Sequence, residues 1–307
     1  MNDELELYKK YRPTEFKQVI GQDDAIKTLI EMGKRNQIPH AILFTGGSGV
    51  GKTTIARILK TKLKCSDHDF MEANAAEARG IDSIRRIKTQ MGLSPLDGPC
   101  KIYLLDEFHQ QTSEAMDCLL KILEDTPRHV YFFLCTTDPQ KVKNTIITRC
   151  TEIRLKPLTA TALEELIQDV LKQEQVTLEQ DVIDALVEAS DGSARKALVM
   201  LHSVIGLADT EAQLGAIENT RVKSAAFDLA RALLTAKSFG DVAPLLRTIE
   251  EDAEAVRRCI LGYCRKVLIS NKRDAARAFQ IIDAFRSNVF DSGHAGLAAN
   301  CYEIFLD

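Results

Sequence analysis

The sequence predicts an α/β P-loop domain with helices on both faces of a parallel sheet, then a small helical domain and an all-α carboxy-terminal domain. Short apolar runs alternate with helical stretches between residues 41 and 155, and a glycine-rich loop separates the first run from the first helix. After Pro157 no strand candidate of comparable strength follows. Such alternation is typical of a parallel sheet covered on both sides.

Five short runs predict the strands of this sheet. Several are apolar at consecutive positions, as strands buried on both faces require. The strands are expected at Ala41–Thr45, Phe70–Asn74, Lys101–Asp106, Val130–Thr136 and Thr151–Leu155. The helical pattern between them falls at Lys52–Lys64, Ile81–Met91 and Glu114–Glu124.

Capping-box patterns predict the first two helices after the sheet, at Thr161-x-x-Glu164 and Thr177-x-x-Gln180. Gly192 ends the second of these helices, and Ser193–Leu207 continues as a third. The rest of the chain predicts four or five amphipathic helices. We therefore expect three domains, at residues 1–157, 158–208 and 209–307.

Composition limits the possible classes of protein. The chain has 307 residues, of which 45% are hydrophobic and 27% charged, which is a globular balance. Its formal net charge of −4 means that any contact with nucleic acid needs a local basic patch. No apolar run approaches the ~18 residues of a membrane span, and the amino terminus has no signal-peptide core. We expect a soluble, cytoplasmic protein with no membrane partner.

The segment Gly46–Thr53 fits the phosphate-loop pattern G-x-x-x-x-G-K-[ST] and lies between a predicted strand and a predicted helix. Glycines allow backbone N–H groups to surround phosphates, and the helix start adds a positive dipole. Lys52 is expected to reach the β- and γ-phosphates, and the Thr53 hydroxyl is a hard oxygen ligand for Mg²⁺. A glycine-rich turn without a ligand is the structural alternative.

About 50 residues later, an apolar strand ends in two carboxylates, Asp106 and Glu107. Asp106 is expected to hold Mg²⁺ through water, and Glu107 to polarise an attacking water molecule. Carboxylates at a strand end are common, but the carboxyl edge of such a sheet is also where a phosphate loop opens. The two segments together predict binding and hydrolysis of a nucleoside triphosphate, with Mg²⁺ as cofactor.

Metal binding through cysteine is not expected. The eight cysteines include no C-x-x-C pair, and the six histidines show no paired metal-ligand spacing. We therefore expect reduced thiols and no zinc.

These motifs and their surroundings resemble the AAA+ ATPases, and specifically the clamp-loader subunits of DNA replication, such as the bacterial gamma/tau subunit and the replication factor C small subunits. The resemblance covers roughly residues 5–206. It rests on Tyr8-Lys9-Lys10-Tyr11-Arg12-Pro13, Val19-Ile20-Gly21-Gln22, Asp106-Glu107-Phe108-His109, Thr136–Lys141, Thr148-Arg149-Cys150, Gly192–Leu198 and the segment from Asn74 to Arg85.

The resemblance implies an AAA+ module followed by a helical lid and a collar, with ATP as the ligand. It implies that Thr137 acts as sensor 1 and Arg195 as sensor 2, and that Asn74 restrains Glu107. Arg149 is the implied arginine finger, which completes the site of a neighbouring subunit; alone, it would be interpreted as a surface arginine. The implied nucleotide contacts are Tyr8, Tyr11, Arg12, Pro13, Val19, Ile20, Gly47, Ser48, Gly49, Val50, Gly51, Lys52, Thr53, Thr54, Pro157 and Arg195.

Three features depart from the family pattern. The segment after Cys65 leaves no room for the cysteine-rich zinc module of gamma/tau, and the chain stops at Asp307 without the long tail of tau. Thr137 stands where replication factor C has asparagine. A compact loader, such as a phage-encoded one acting in the bacterial or infected-cell cytoplasm, fits these departures.

Two further surfaces follow from the resemblance. Arg79 and Arg85 are expected to track the phosphates of DNA, because cations near a helix start suit a backbone strand. Met91, Leu93 and Leu96 either dock on the sliding clamp or pack on the chain's own sheet.

The function implied is that of an ATPase subunit in a clamp loader, a pentamer of copies of this chain or of related subunits. ATP binding between subunits would open the sliding clamp, and primer–template DNA would trigger hydrolysis and release. A nucleotide-stabilised scaffold subunit and a different DNA-acting AAA+ motor are the alternatives. Retention of Lys52 and Glu107 argues against the first, and the Thr148-Arg149-Cys150 and Asn74–Arg85 segments argue against the second.

Overall fold

The computed structural model describes residues 6–74, 80–270 and 274–306. The chain divides into two compact units, Met1–Ile205 and Gly206–Asp307. Among the described residues, none of the helices is both long and apolar enough to cross a bilayer.

The first unit contains a five-stranded parallel sheet in the order β2-β3-β4-β1-β5. The strands are β1 (Ala41–Thr45), β2 (Phe70–Asn74), β3 (Lys101–Asp106), β4 (Val130–Thr136) and β5 (Thr151–Arg154). The α/β fold class and the five strands are thus confirmed, with β5 one residue shorter than expected. β1, β3 and β4 are almost wholly buried, which explains their uninterrupted apolar sequences.

The helices that precede residue 158 in the sequence flank this sheet. They are α1 (Leu7–Lys10), α2 (Asp23–Lys34), α3 (Lys52–Lys62), α4 (Ile81–Met91), α5 (Ser113–Glu124) and α6 (Asn144–Ile147), with short 3₁₀ turns at Phe16–Gln18, Phe108–Gln110 and Pro139–Lys141. The apolar faces of α4 and α5 pack with β3 and β4 in one cluster that includes Leu119, Phe132 and Leu134. This packing fixes the strand ends from which the site residues project.

Three further helices complete the first unit: α7 (Ala160–Glu174), α8 (Gln180–Ala189) and α9 (Ala194–Val204). The caps of α7 and α8 lie two residues from their predicted positions, earlier for α7 and later for α8. Thr159, not Thr161, caps α7 by accepting a hydrogen bond from Ala162 N, and α8 begins only after Glu179. Ser193 caps α9, following Gly192 in the left-handed conformation (φ 74°).

The regular elements of the second unit are helical over the residues that the structure describes, with one 3₁₀ turn at Phe239–Asp241. The helices are α10 (Thr210–Thr235), α11 (Ala243–Leu246), α12 (Ala253–Ser270), α13 (Ala275–Ala284) and α14 (Gly293–Glu303). Their shared core includes Leu229, Ile260, Ile281 and Phe285, all with no exposed surface. The expectation of four or five carboxy-terminal helices is confirmed.

Candidate nucleotide site

The loop between β1 and α3 has the backbone conformation of an anion cradle. Gly46, Gly49 and Gly51 have φ values of 146°, 74° and 108°, which L-residues rarely adopt. A Cβ added at Gly46 would lie 2.5 Å from Leu155 O, so the loop also approaches β5's end too closely for a side chain. The glycines predicted from the motif are therefore required by geometry. Their N–H groups and the start of α3 are the elements that bind phosphate in other proteins.

Lys52, the first residue of α3, is buried within this loop. Its Nζ donates hydrogen bonds to Gly46 O at 2.9 Å and to Gly47 O at 2.6 Å. Burial lowers the pKa of the ammonium group from its ordinary value. Two neutral carbonyl acceptors offset only part of the cost of burying a full charge, so the ammonium group favours an anionic ligand.

Thr53 and Asp106 meet across the carboxyl edge of the sheet. The Thr53 hydroxyl donates to Asp106 Oδ2 at 3.0 Å, and Asp106 Oδ1 accepts from Glu107 N at 2.9 Å. A hydroxyl beside a carboxylate provides the hard oxygen ligands that Mg²⁺ prefers. The donor set at this edge therefore fits the expected cation.

Glu107 follows β3 in a left-handed backbone conformation, with φ 51° and ψ 41°. Its Oε2 accepts a 3.2 Å hydrogen bond from the Thr137 hydroxyl, just after β4. The Nδ1 of His109 lies 3.5 Å from the same oxygen and 3.2 Å from Thr136 Oγ1. Thr137 after β4 and His109 after β3 thus both contact the carboxylate, and the His109 contact was not predicted from the sequence.

A cavity runs from this edge towards the amino-terminal segment and the lid. Most of the predicted nucleotide and metal contacts line it: Tyr8, Tyr11, Arg12, Pro13, Val19, Ile20, Ser48, Gly49, Val50, Gly51, Lys52, Thr53, Thr54, Asp106, Glu107 and Arg195. The end with Lys52 is polar and cationic. The opposite end is aromatic and apolar, which suits a planar base rather than a phosphate.

Five predicted residues do not line the cavity. Gly47 contributes only its carbonyl to Lys52, and Thr137 lies behind Glu107. Pro157 packs against Gly192, where an added Cβ would lie 2.5 Å from the Pro157 Cβ. The next residue, Leu158, lines the cavity where Pro157 was expected to do so.

The other two lie on neighbouring elements. Asn74 ends β2 opposite Asp106 in the strand register. Arg149 follows α6, where Nη2 is bonded to Glu124 Oε1 at 2.5 Å and Nη1 to Thr145 O at 2.9 Å. Neither residue faces the cavity of its own chain.

Several cavity residues escaped the sequence reasoning. They are Gln18, Arg57, Glu72, Leu158, Leu166, Ala194 and Leu198. Arg57 lies one turn beyond Thr53 on α3 and forms a bidentate pair with Glu72 of β2, at 3.0 and 2.8 Å. Helical spacing from the phosphate loop was the available signal for Arg57, since residues three and four apart share a face.

The amino-terminal segment brings a second cationic group to the cavity. Arg12 is half-buried, and its pKa is lowered by burial and then by the nearby Arg57 and Arg195. Arg195 lies over the ring of Tyr8, 5.6 Å from its centre. Three guanidinium groups around one cavity repel one another, and an anionic ligand relieves that repulsion.

Hydrogen bonds to main-chain atoms join the phosphate loop to the lid and to the segment that follows β5. Arg195 N donates to Gly49 O at 3.3 Å, so α9 begins directly on the phosphate loop. The buried Gln22 side chain donates to Val50 O and Lys156 O and accepts from Lys156 N. This amide fixes the loop relative to the segment that leads into the lid.

The DNA and clamp candidates lie elsewhere on the first unit. Arg79 lies outside the described residues, and Arg85 is exposed on α4 with a 3.1 Å ion pair to Asp82. Met91 is buried in the cluster beneath α4, so the second alternative, packing on the chain's own sheet, applies to it. Leu93 and Leu96 are 62% and 75% exposed.

Comparison with known proteins gives the family context. A family model described as the delta subunit of DNA polymerase III matches residues 69–159, and one described as the sigma-54 interaction domain matches residues 19–81. Among curated proteins, the gamma/tau subunit of DNA polymerase III from Mycoplasma genitalium is 32% identical, with 67% of this chain and 38% of the relative covered. The tau/gamma subunit from Haemophilus influenzae is 31% identical, with coverage of 85% and 41%.

The chain therefore spans about two fifths of the length of these relatives. Among solved structures, the Thermotoga maritima RuvB Holliday junction branch migration motor matches with a TM-score of 0.58. The match covers 78% of this chain and 86% of that one at 18% identity, and its K64R mutant gives a TM-score of 0.59. This likeness is one of fold.

Proposed function

The chain is an AAA+ protein related to the gamma/tau subunits of bacterial DNA polymerase III, and on that ground we propose that it is an ATPase subunit of a DNA sliding-clamp loader. The observation that carries the ATPase part is the convergence of Thr53, Asp106, Glu107 and Thr137 at one sheet edge. The clamp-loader part rests on the identity of the relatives.

Binding of ATP follows from the two ends of the cavity. Lys52 exchanges its carbonyl contacts for the β- and γ-phosphates, and Arg195 adds charge from the lid. Tyr8, Val19 and Ile20 offer an apolar surface for the base. Bound Mg²⁺ supplies charge neutralisation at the phosphates, and Thr53 and Asp106 are the residues that hold it.

Hydrolysis requires a base and an oriented water molecule. Glu107 is the residue that polarises the water, and Thr137 holds its Oε2. In this proposal Asn74, which pairs with Asp106 in the strand register, restrains Glu107 until the assembly is complete.

In this proposal Arg149 of one subunit supplies positive charge at the nucleotide of the neighbouring subunit. Within its own chain it is bonded to Glu124 and does not line the cavity, so its function there is structural. In an assembled ring, a pentamer of such subunits, Arg149 leaves Glu124 and reaches the neighbour's γ-phosphate. Arginine fingers contribute about 10³- to 10⁵-fold in GTPases.

The clamp is opened and later released because the ring binds it with different affinities before and after ATP hydrolysis. With ATP at the interfaces, the ring holds the clamp open through surfaces that include Leu93 and Leu96. Primer–template DNA, contacted by Arg79 and Arg85, triggers hydrolysis and release of the closed clamp on DNA.

ATP turnover of the assembled complex tests this function, measured with and without clamp and primed DNA. We expect stimulation by the two together, no nucleotide binding by Lys52→Ala, and loss of stimulation by at least about 100-fold in Arg149→Ala with ATP binding retained. Lys62→Ala, exposed at the other end of α3, is the matched control. Stimulation by branched DNA without a clamp would contradict clamp loading, and full turnover in Arg149→Ala would contradict action in trans.

A further inference from the structure

The amino-terminal segment is fastened to the lid at one carboxylate. Glu174, the last residue of α7, accepts two hydrogen bonds on the same oxygen, Oε1. The donors are Lys10 Nζ and the Tyr11 hydroxyl, each at 2.6 Å, although both lie more than 160 residues earlier in the chain. Bonds to a charged acceptor at this distance are among the stronger hydrogen bonds in proteins.

The same segment forms one wall of the nucleotide cavity. Tyr8, Tyr11 and Arg12 line it from the amino-terminal side, while Leu166 and Leu198 line it from the lid helices α7 and α9. The apolar end of the cavity exists only while these two walls face each other. The phosphate end depends on them less, because Lys52 and Thr53 are held by the loop and by Asp106.

Two attachments hold the walls together. One is the Glu174 oxygen with Lys10 and Tyr11, and the other is the stacking of Arg195 on Tyr8. Arg195 is needed for phosphate in the proposed function, so its contact with Tyr8 changes when nucleotide binds. Glu174 lies outside the cavity lining and can stay engaged throughout.

The electrostatics of this contact favour the charged forms of Glu174 and Lys10. Lys10 and then Tyr11 lower the pKa of Glu174, and Glu174 raises the pKa of Lys10 against the opposing effect of burial. Burial and then Glu174 raise the pKa of Tyr11. All three groups therefore keep their bonding protonation states near neutral pH.

We infer that Glu174 is a positioning residue for the base end of the nucleotide: it fastens the segment carrying Tyr8, Tyr11 and Arg12 to the lid. This inference rests on the proposed nucleotide site and adds a residue that touches no part of the nucleotide. It predicts a selective effect, because a ligand with a base uses Tyr8 and Tyr11 as well as Arg12. Ligands that consist of phosphate alone lose at most the contribution of Arg12 and are affected less.

The test compares binding of ATP, ADP and inorganic tripolyphosphate, each with Mg²⁺, to the full chain by calorimetry. Glu174→Ala is expected to weaken binding of ATP and ADP by about tenfold, the effect of one charge-assisted hydrogen bond, and to weaken binding of tripolyphosphate by less. In turnover, KM for ATP rises by a similar factor while kcat is retained. Glu165→Ala, an exposed carboxylate on the same helix, is the control and binds all three ligands like the wild type.

Glu174→Gln keeps the side-chain length and one acceptor for Tyr11 but removes the charge that holds Lys10. It should weaken ATP less than the alanine variant does, and it tests the same point if the alanine variant does not fold. Lys10→Met should also weaken ATP, and its effect should largely disappear in the Glu174→Ala background, because contacting residues are not additive.

The outcomes separate this inference from the proposed function. Unchanged ATP binding in Glu174→Ala overturns the positioning role while leaving the nucleotide site in place. Equal weakening of ATP and tripolyphosphate also overturns it, since that pattern indicates a general loss of structure. A wild-type chain that binds neither ligand contradicts the nucleotide site itself.

Discussion

The Thr137 hydroxyl donates a hydrogen bond of 3.2 Å to Glu107 Oε2, linking the ends of two adjacent strands at the candidate site. Glu107 has a left-handed backbone, so its carboxylate depends on side-chain contacts for its direction. A threonine side chain is short and has few rotamers, so its hydrogen bond restricts the direction of the carboxylate effectively.

Replacing Thr137 by alanine should therefore reduce kcat by about 10- to 100-fold while leaving the Kd for ATP within about twofold. Single-turnover hydrolysis and equilibrium binding measure the two quantities separately. Thr235→Ala, which removes an exposed hydroxyl bonded to Arg231 O in the second unit, serves as the control. A loss of affinity equal to the loss of rate would indicate that Thr137 acts on binding instead.

Gly49→Ala should disrupt the junction between the phosphate loop and the lid. An added Cβ would lie 2.2 Å from Ser193 Oγ and 2.9 Å from Arg195 Cβ, at a φ of 74°. We expect the first unit to lose about 2 kcal/mol of unfolding free energy and to bind ATP weakly. Thermal unfolding and calorimetry provide the measurements.

The matched control is Gly215→Ala in α10, where an added Cβ meets nothing within 4 Å. Alanine in a helix interior is favoured over glycine by about 1 kcal/mol, so this variant should be slightly more stable than the wild type. Equal behaviour of the two variants would show that the tight contact at Gly49 has no energetic consequence.

On the proposed clamp surface, Leu93→Ser with Leu96→Ser should weaken clamp binding by about 30-fold or more, because a few large side chains dominate interface energies. The loop is held in place by Asp69, whose carboxylate accepts from Leu96 N at 2.8 Å and from Asp97 N at 3.0 Å. Surface plasmon resonance on immobilised clamp measures the effect. Phe279→Ser, exposed in the second unit, should bind the clamp normally; unaltered binding by the double variant would place the clamp surface elsewhere.

The second unit contains a buried ion pair whose loss should be measurable. Glu254 accepts two hydrogen bonds from Arg257, at 2.8 and 2.7 Å, and one from Val289 N at 2.9 Å. Glu254→Ala leaves Arg257 without this partner in the core and should cost about 3 kcal/mol of unfolding free energy. Arg258→Ala, which removes an exposed partner of the same carboxylate, should cost less than 1 kcal/mol.

The pH dependence of the Glu254 effect has a defined sign. Arg257 lowers the pKa of Glu254 from an ordinary 4.5 to about 2. A carboxyl group with a lowered folded-state pKa stabilises the fold above its unfolded pKa and loses that contribution as the pH falls. The difference in stability between wild type and Glu254→Ala should therefore be constant above pH 5 and shrink between pH 4.5 and 2. An increase over that range would contradict the assigned pair.

The sheet and the phosphate end of the site could be predicted because their signals are local. The run from Val130 to Cys135 is apolar at every position, which is typical of a strand buried on both faces. The order of Lys52, Thr53 and Asp106 along the chain, together with strand polarity, already places them at one edge. These predictions require no knowledge of how distant segments pack.

The lid boundaries and the base end could not be predicted in the same way. Thr159 and Thr161 are both residue types that cap helices, and in the structure Thr159 is the cap, with Ala162 and Leu163 buried. Leu158, Leu166 and Leu198 look like ordinary core residues in the sequence. Their exposure to the cavity depends on where the lid lies, which no local pattern encodes.

The main-chain hydrogen bond from Arg195 to Gly49 has a mechanical consequence. The second residue of α9 is thereby bonded to the carbonyl of a glycine within the phosphate loop. Because the phosphate loop and the 11-residue helix α9 share this bond, a displacement of Gly49 that keeps the bond must carry the start of α9 with it.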